Sequence, residues 1–548
     1  MSLHDRAGQI AQQKDLVDVS DLLSQYYVSR PNMEHPAEQV SFGTSGHRGS
    51  SLNKSFNEQH ILAIVQAVVD YRTLNGVKGP MMLGVDTHAL SRCAYYSALE
   101  VLTANHIEVW VEKDLGFTPT PVVSHAIIDF NNHNAVQCDG LILTPSHNPP
   151  QDGGIKYNPP HGGPADSEAT SWIQNKANEY IKNGLTAVKR NNMQLAKLSG
   201  YIKEHDFRAH YISQLHQVIN LEAIKQANIK LAADPLGGSG VSYWAHIADA
   251  YGLNIETVND KVDPSFAFMS LDKDGKIRMD CSSPYAMASM LERDLDFDIA
   301  IGNDPDFDRH GIVCRGTGLM NPNHMLAVAI DYLSQHRPNW PAQIKIGKTI
   351  VSSSMIDRVC ADKKLNMYEV PVGFKWFVEG MAQGEIGFCG EESAGASLLK
   401  LDGSTWCTDK DGIILGLLAA EILAVTGKTP AQYYQDLTAK HGQAFYQRLD
   451  APINLKAKAV LQSLQPQDIT ATELAGEAIT ACVTQAPGNG ASFGGIKVST
   501  ENGWFAARPS GTEPLYKIYG ESFISEQHLQ TLLEQAKDIV WGAIKSKR

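Results

Sequence analysis

Phe297-Asp298-Ile299-Ala300-Ile301 runs directly into Gly302-Asn303-Asp304-Pro305-Asp306-Phe307-Asp308-Arg309. A short apolar run that ends in a loop of chemically loaded residues reads as a buried strand with a functional loop at its carboxyl end. Working outward, residues 297–301 are the third of three such runs, after 229–233, which ends at Asp234-Pro235, and 255–258, with helical stretches between. The same order occurs upstream. Residues 81–85 end at Asp86, 107–111 follow, and 141–143 open into Thr144-Pro145-Ser146-His147-Asn148-Pro149. Downstream the order returns with 349–353, 367–370 and 386–389, which open into Gly390-Glu391-Glu392-Ser393. Short strands alternating with helices give α/β units, and the pattern repeats three times.

The last hundred or so residues differ. Strands at 496–499 and 515–519 precede a long amphipathic helix over 526–544, which makes a smaller α+β unit rather than a fourth repeat. The polar segment 183–200 reads as a joint between the first and second units, and the apolar helix 413–425 closes the third. The expected domains are 1–205, 206–322, 323–440 and 441–548. A chain of 548 residues exceeds what one core organises, and 43% hydrophobic with 20% charged residues is a folding composition. A net charge of -13 argues against a nucleic-acid partner but leaves room for a small anion held by local cations. Residues 1–20 lack the apolar core of a secretory leader, and no apolar run approaches the ~20 residues that span a bilayer. Eight scattered cysteines without a C-x-x-C pair read as reduced thiols in the cytoplasm.

Four loops carry chemistry. Ser146 lies among turn formers, and a serine becomes a nucleophile only where its oxygen is held beside an electrophile and charge is neutralised. His147, Lys156 and Arg48 are the candidates for that task, and no G-x-S-x-G elbow supports an acyl-transfer reading. Asp304, Asp306 and Asp308 alternate, so on an extended segment their carboxylates face one side and call for a hard divalent cation. A helix-loop-helix calcium site fails because its sixth position holds Arg309 and its twelfth Arg315. Asp272, Asp274 and Asp280 sit among lysine and arginine and read as a solvated turn. Gly390-Glu391-Glu392-Ser393-Ala394-Gly395 offers acceptors and a hydroxyl suited to sugar hydroxyls, with Lys375 and Lys410 in neighbouring segments. Arg508-Pro509-Ser510-Gly511-Thr512-Glu513-Pro514 is an oxyanion nest, and the absence of G-x-x-x-x-G-K-[ST] assigns the phosphate to a substrate rather than a nucleotide.

Together these loops resemble the α-D-phosphohexomutase superfamily, most like its bacterial phosphoglucomutase branch, over essentially the whole chain and in the family's order. The resemblance implies three similar α/β, mixed-sheet domains and a smaller α+β C-terminal domain of TATA-binding-protein-like fold around a central cleft. It implies that Ser146 carries a phosphoryl group and passes it to a hexose monophosphate. One Mg²⁺ per chain would be held by Asp304, Asp306, Asp308 and an oxygen on Ser146, with glucose 1,6-bisphosphate as activator. Arg48 and Arg309 would neutralise charge, Lys156 would accept a proton or stabilise charge, and His147 would support the serine. Gly373, Lys375, Glu391, Ser393 and Lys410 would meet the sugar; Arg508, Ser510, Gly511, Thr512 and Lys517 would grip the distal phosphate. The implied partner is a hexose phosphate, with neither nucleic acid nor membrane, and a homodimer is compatible with the architecture. Two departures stand out: Pro145 replaces a common alanine, and Ala396 stands where mannose-type members carry histidine, which tilts the reading toward glucose.

Overall fold

The computed structural model describes residues 3–43, 46–510 and 515–547. Its first three units share one sheet plan. In the first, Met81–Val85 is flanked in parallel by Val109–Glu112 and Asp139–Leu143, and Gly153–Asn158 returns antiparallel beside the last. The second places Leu231–Asp234 between Ile255–Thr257 and Ile299–Gly302, with Gly311–Cys314 returning. The third repeats this with Lys345–Thr349, Asn366–Val370, Ile386–Glu391 and Gly395–Leu398. The turn between third strand and return strand is in each case the loop singled out above. Because Met81–Val85, Asp139–Leu143, Leu231–Asp234, Ile299–Gly302 and Ile386–Glu391 are buried along their whole length, the inner strands read as mostly apolar runs rather than alternating ones.

Two expectations shift. The third unit's first strand is Lys345–Thr349, not 349–353; the latter residues form the turn that leads to the helix Met355–Lys363. Charged Lys345 and Lys348 hid the strand, yet Lys348 is buried and paired with Asp357 and Glu369. Segment 183–200 is also more than a joint. It holds the helix Met193–Leu198 and leads to Ile202–His205, which pairs in parallel with Val109–Glu112 and covers that otherwise open edge.

The fourth unit is an antiparallel five-stranded sheet, Phe445–Pro452, Leu515–Ser522, Gly503–Pro509, Ser492–Ser499 and Ala481–Gln485 in spatial order. The helix Glu526–Ser546, capped by Ser525, lays Leu529, Leu532, Leu533, Ala536 and Val540 on one face of it. One continuous core runs through the second and third units and takes in Met82, Val123 and Ile142 of the first, whereas the fourth has its own. Its other face meets the third unit through Ile350, Val351, Trp504 and Tyr519, and Glu521 accepts from Ser354 N (2.7 Å) and Trp504 Nε1 (2.8 Å).

The helix Gly412–Thr426 is apolar on every face except for Glu421, which pairs with Arg337, and is buried from Gly412 to Ile422, which marks a core helix. Asp411 caps it through Ile413 N and Ile414 N. A β-carbon on Gly412 would come within 2.1 Å of the Arg309 carbonyl, so glycine lets this helix start flush against the acidic loop. Among the described residues no single helix is both long and apolar enough to cross a membrane.

Candidate active site

Ser146 is 1% exposed and sits at φ +59°, a left-handed conformation uncommon for a residue with a side chain. A chain of polar contacts holds it there. Ser146 N donates to Thr144 Oγ1 (2.8 Å), Thr144 Oγ1 to Asp86 Oδ2 (2.6 Å), and Asp86 is also bound by Ser91 Oγ (2.6 Å) and His88 Nδ1 (2.9 Å). The other His88 nitrogen meets the Asn148 carbonyl at 3.0 Å, so one imidazole ties the central strand to the serine loop.

Ser146 Oγ donates to Asp304 Oδ2 at 2.8 Å, which joins the first unit's loop to the second's, and His147 Nδ1 lies 3.3 Å away. Burial, with Arg309 nearby, pushes His147 down to about 3, so its ring is neutral near pH 7 and serves as a hydrogen-bond partner. The Asp304, Asp306 and Asp308 carboxylates converge with candidate ligand atoms within 4.8 Å of one another. Their other contacts are asymmetric. Asp306 Oδ2 accepts from Lys156 Nζ (2.5 Å) and Thr120 Oγ1 (2.6 Å), and Asp308 Oδ2 from Lys156 Nζ (3.0 Å) with Lys410 Nζ at 3.1 Å. Asp306 Oδ1 and Asp308 Oδ1 are buried with no hydrogen-bond partner among the described residues. Two orphaned carboxylate oxygens beside Asp304 and Ser146 Oγ are a donor set that suits a hard divalent cation.

Electrostatics agree with that reading. Burial and the other two carboxylates push Asp304 well above the usual carboxylate range. Asp308 goes the other way: burial opposes ionisation, but Lys156, Lys410 and Arg309 outweigh it. Burial also disfavours charge on Lys156 and Lys410, yet the carboxylates hold both above the ordinary lysine value. Arg309 Nε lies 4.0 Å from Asp304 and 3.9 Å from Asp308. Arg48 borders the same loop, where its Nη1 donates to Asn148 Oδ1 at 3.3 Å.

The loop Gly390 to Gly395 sits against this centre. His310 N donates to Ala394 O (3.1 Å) and Gly412 N to Phe307 O (2.9 Å), which locks second and third units together. Glu391 Oε1 accepts from Gly373 N at 3.0 Å, and Gly373 has φ +127°, a value that favours glycine. Burial lifts Glu391 to about 7 despite Lys410 nearby. Ser393 is half-buried beside them. Lys375 departs from the group: its Nζ donates to Ser167 Oγ of the first unit. In the fourth unit Arg508 pairs with Lys517 across antiparallel strands, so both side chains share a face. Ser510 is buried and its N–H donates to Leu515 O (2.8 Å), while Gly511 and Thr512 lie outside the described residues.

The solvated-turn reading holds for Asp274, which lies in a turn and pairs with Arg278, but is corrected for Asp272 and Asp280. Asp272 is buried and accepts from Ser283 Oγ (2.5 Å), and the Asp280 charge helps keep Arg309 protonated against burial. Alternating charges in the sequence looked like surface, whereas the chain folds the two aspartates inward and leaves Lys273 and Lys276 exposed. Residues that sequence reading passed over include Asp86, His88, Thr120 and Asp409. Asp86 was visible as a polar stop after an apolar strand, and Thr118-Pro119-Thr120-Pro121 carries a helix-start signal.

Profiles of the phosphoglucomutase/phosphomannomutase family match in order: alpha/beta/alpha domain I over 39–184, domain II over 209–318, domain III over 321–441 and the C-terminal domain over 471–539. The chain belongs to this family. It is an enzyme of the phosphohexomutase type, in the isomerase class. A phosphoglucomutase of Komagataeibacter xylinus is 53% identical over 540 residues, 98% of this chain and 97% of that one. Phosphoglucomutase 2 of Saccharomyces cerevisiae is 27% identical over 567 residues, covering 93% and 95%. Among solved structures, parafusin from Paramecium superposes with a TM-score of 0.73 at 22% identity, covering 94% and 96%. A phosphoglucomutase/phosphomannomutase family protein from Burkholderia thailandensis gives 0.67 at 18%, covering 91% and 97%. The shared architecture is thus that of four-part phosphohexomutases.

One prediction arises at the serine loop. Burial opposes the charge on His88, but Asp86 and the Asn148 carbonyl outweigh it, with Asp152 adding to them and Phe266 against the ring. His88 therefore keeps its proton above the ordinary 6.5. The stability it contributes is fully present below that pH and is lost as pH rises through the raised value. His88→Leu is expected to cost roughly 3 kcal/mol at pH 6 and to flatten the alkaline decline. Thermal melts across pH 6 to 10 check both; an unchanged profile would refute the pairing.

Proposed function

We propose that the enzyme interconverts glucose 1-phosphate and glucose 6-phosphate through a phosphoserine at Ser146 and a glucose 1,6-bisphosphate intermediate, with Mg²⁺. The observation that carries this reading is Ser146 Oγ on Asp304 Oδ2 beside the orphaned Oδ1 atoms of Asp306 and Asp308. The Komagataeibacter relative, at 53% identity, supports glucose as the sugar. A bound Mg²⁺ supplies charge neutralisation for the phosphoryl oxygens.

In transfer, the bond from phosphorus to Ser146 Oγ breaks as a bond to the free sugar oxygen forms, and the proton that the sugar hydroxyl gives up is balanced by one gained at Ser146 Oγ. Lys156 and Lys410, both held protonated, offset charge rather than accept the proton. Glu391, lifted to about 7, is the carboxyl able to exchange a proton near neutral pH while binding sugar hydroxyls with Ser393. Arg48 and Arg309 neutralise the reacting phosphoryl group. Arg508, Ser510, Gly511, Thr512 and Lys517 take the other phosphate, and the bisphosphate turns over so that its second phosphoryl returns to Ser146. Lys375 reaches the sugar only by leaving Ser167. The four divisions 1–205, 206–322, 323–440 and 441–548 carry the serine, metal, sugar and distal-phosphate loops respectively. The proposal extends to a cytoplasmic homodimer, and the eight free thiols favour a reducing compartment.

A coupled assay on glucose and mannose phosphates, with and without glucose 1,6-bisphosphate, tests the reading. The expected result is a higher kcat/KM for glucose and activation by the bisphosphate. Steady release of inorganic phosphate, or a preference for mannose, would overturn it.

A further inference from the structure

We infer that Thr120 is a positioning residue for the metal centre: the first unit reaches across to the second and fixes which oxygen of Asp306 faces the cation. This rests on the metal reading above. Thr120 is the first residue of the helix Thr120–His133 and is fully buried. It holds Asp306 twice, with its N–H on the Asp306 carbonyl (2.9 Å) and its Oγ1 on Asp306 Oδ2 (2.6 Å). The N–H is available because a helix leaves its first amide groups without internal partners, and Pro119 and Pro121 on either side set the local chain direction.

The consequence lies in the two oxygens of Asp306. A carboxylate can flip about its last torsion, so a ligand oxygen is defined only when the other is pinned. Thr120 Oγ1 and Lys156 Nζ both pin Oδ2, and Oδ1 is left buried without a hydrogen-bond partner among the described residues. Lys156 also serves Asp308 (3.0 Å), so its hold on Asp306 is shared and free to shift between two carboxylates. Thr120 has no such second duty. Its hydroxyl keeps Asp306 aimed when Lys156 shifts, and it makes the second unit's metal loop depend on correct seating of the first unit.

The test uses the full-length protein with Mn²⁺ as the probe, its free concentration read by electron paramagnetic resonance. Phosphorylation of Ser146 is matched between samples by intact mass. Thr120→Val keeps shape and N–H but removes the hydroxyl; Thr120→Ala supplies the same comparison should valine not be accommodated. Either is expected to weaken Mn²⁺ binding about 10- to 100-fold, and Thr120→Ser to restore it to within about threefold. The Mg²⁺ concentration for half-maximal activity should rise in parallel, with KM for the hexose phosphate unchanged. Wild-type Mn²⁺ affinity in Thr120→Val, or failure of Thr120→Ser to restore it, overturns the inference while leaving the metal reading intact. Absence of Mn²⁺ binding by the wild-type protein overturns both.

Discussion

Replacement of Ser146 by alanine is expected to lower kcat by at least about 10⁴-fold while leaving the fold in place, because the proposed mechanism passes the phosphoryl group through the hydroxyl seated on Asp304. The Oγ atom makes one short bond, to Asp304, and one longer approach to His147. The loop is held by groups the substitution leaves untouched: Ser146 N on Thr144 Oγ1, and Thr144 on Asp86. A buried hydrogen bond contributes about 1 kcal/mol, so the melting temperature should fall by only a few degrees. The variant would also lose the phosphorylated species in intact-mass spectra after incubation with glucose 1,6-bisphosphate. Turnover near the wild-type rate, or a phosphoryl group that persists on the alanine variant, would rule out Ser146 as carrier.

The elements that build this site are unevenly legible in the sequence. Apolar runs of a sheet buried on both faces are conspicuous, so residues 81–85, 141–143 and 386–389 landed within or beside observed strands, with the loaded loops at their carboxyl ends. Lys345–Thr349 escaped because its lysines are compensated by carboxylates distant in sequence, which no local pattern reveals. The same holds at the site. Alternation placed Asp304, Asp306 and Asp308 on one side, but not which oxygen of each is free. That selection depends on Lys156, Thr120 and Lys410, which arrive from two other units. Asp280 was hidden for a related reason: its neighbours in sequence are cationic, while its partner in space is Arg309. Periodicity reports burial of an element; it says nothing about which buried charge meets which.

The acidic cluster yields a sharper expectation, since two of its members should respond with opposite sign. Asp304 carries no lysine, and burial together with Asp306 and Asp308 drives it well above the usual range, so without a cation its ionised form is a liability. Asp304→Asn should therefore stabilise the metal-free protein by about 1 kcal/mol, because an amide keeps an acceptor for Arg309 N (3.0 Å) and removes the repulsion. Asp308 is the reverse case. Lys156 from the first unit and Lys410 from the third both rest on its Oδ2, and an amide there cannot neutralise them. Lys156 retains Asp306 and Lys410 retains Asp409 (3.1 Å), so the cost of Asp308→Asn should be about 2–3 kcal/mol rather than the full cost of an isolated buried charge. Both variants should lose at least about 10³-fold in kcat, since under the proposed mechanism each removes a charged ligand of the cation that neutralises the phosphoryl oxygens. Urea denaturation in the presence of a chelator, compared with coupled assays in saturating Mg²⁺, separates the two effects. If Asp304→Asn destabilises the metal-free protein as much as Asp308→Asn does, then the cluster is a structural ion network. If the signs differ while both are inactive, the strain of three convergent carboxylates is being kept for the cation, and Asp308 alone doubles as the post on which the first and third units close.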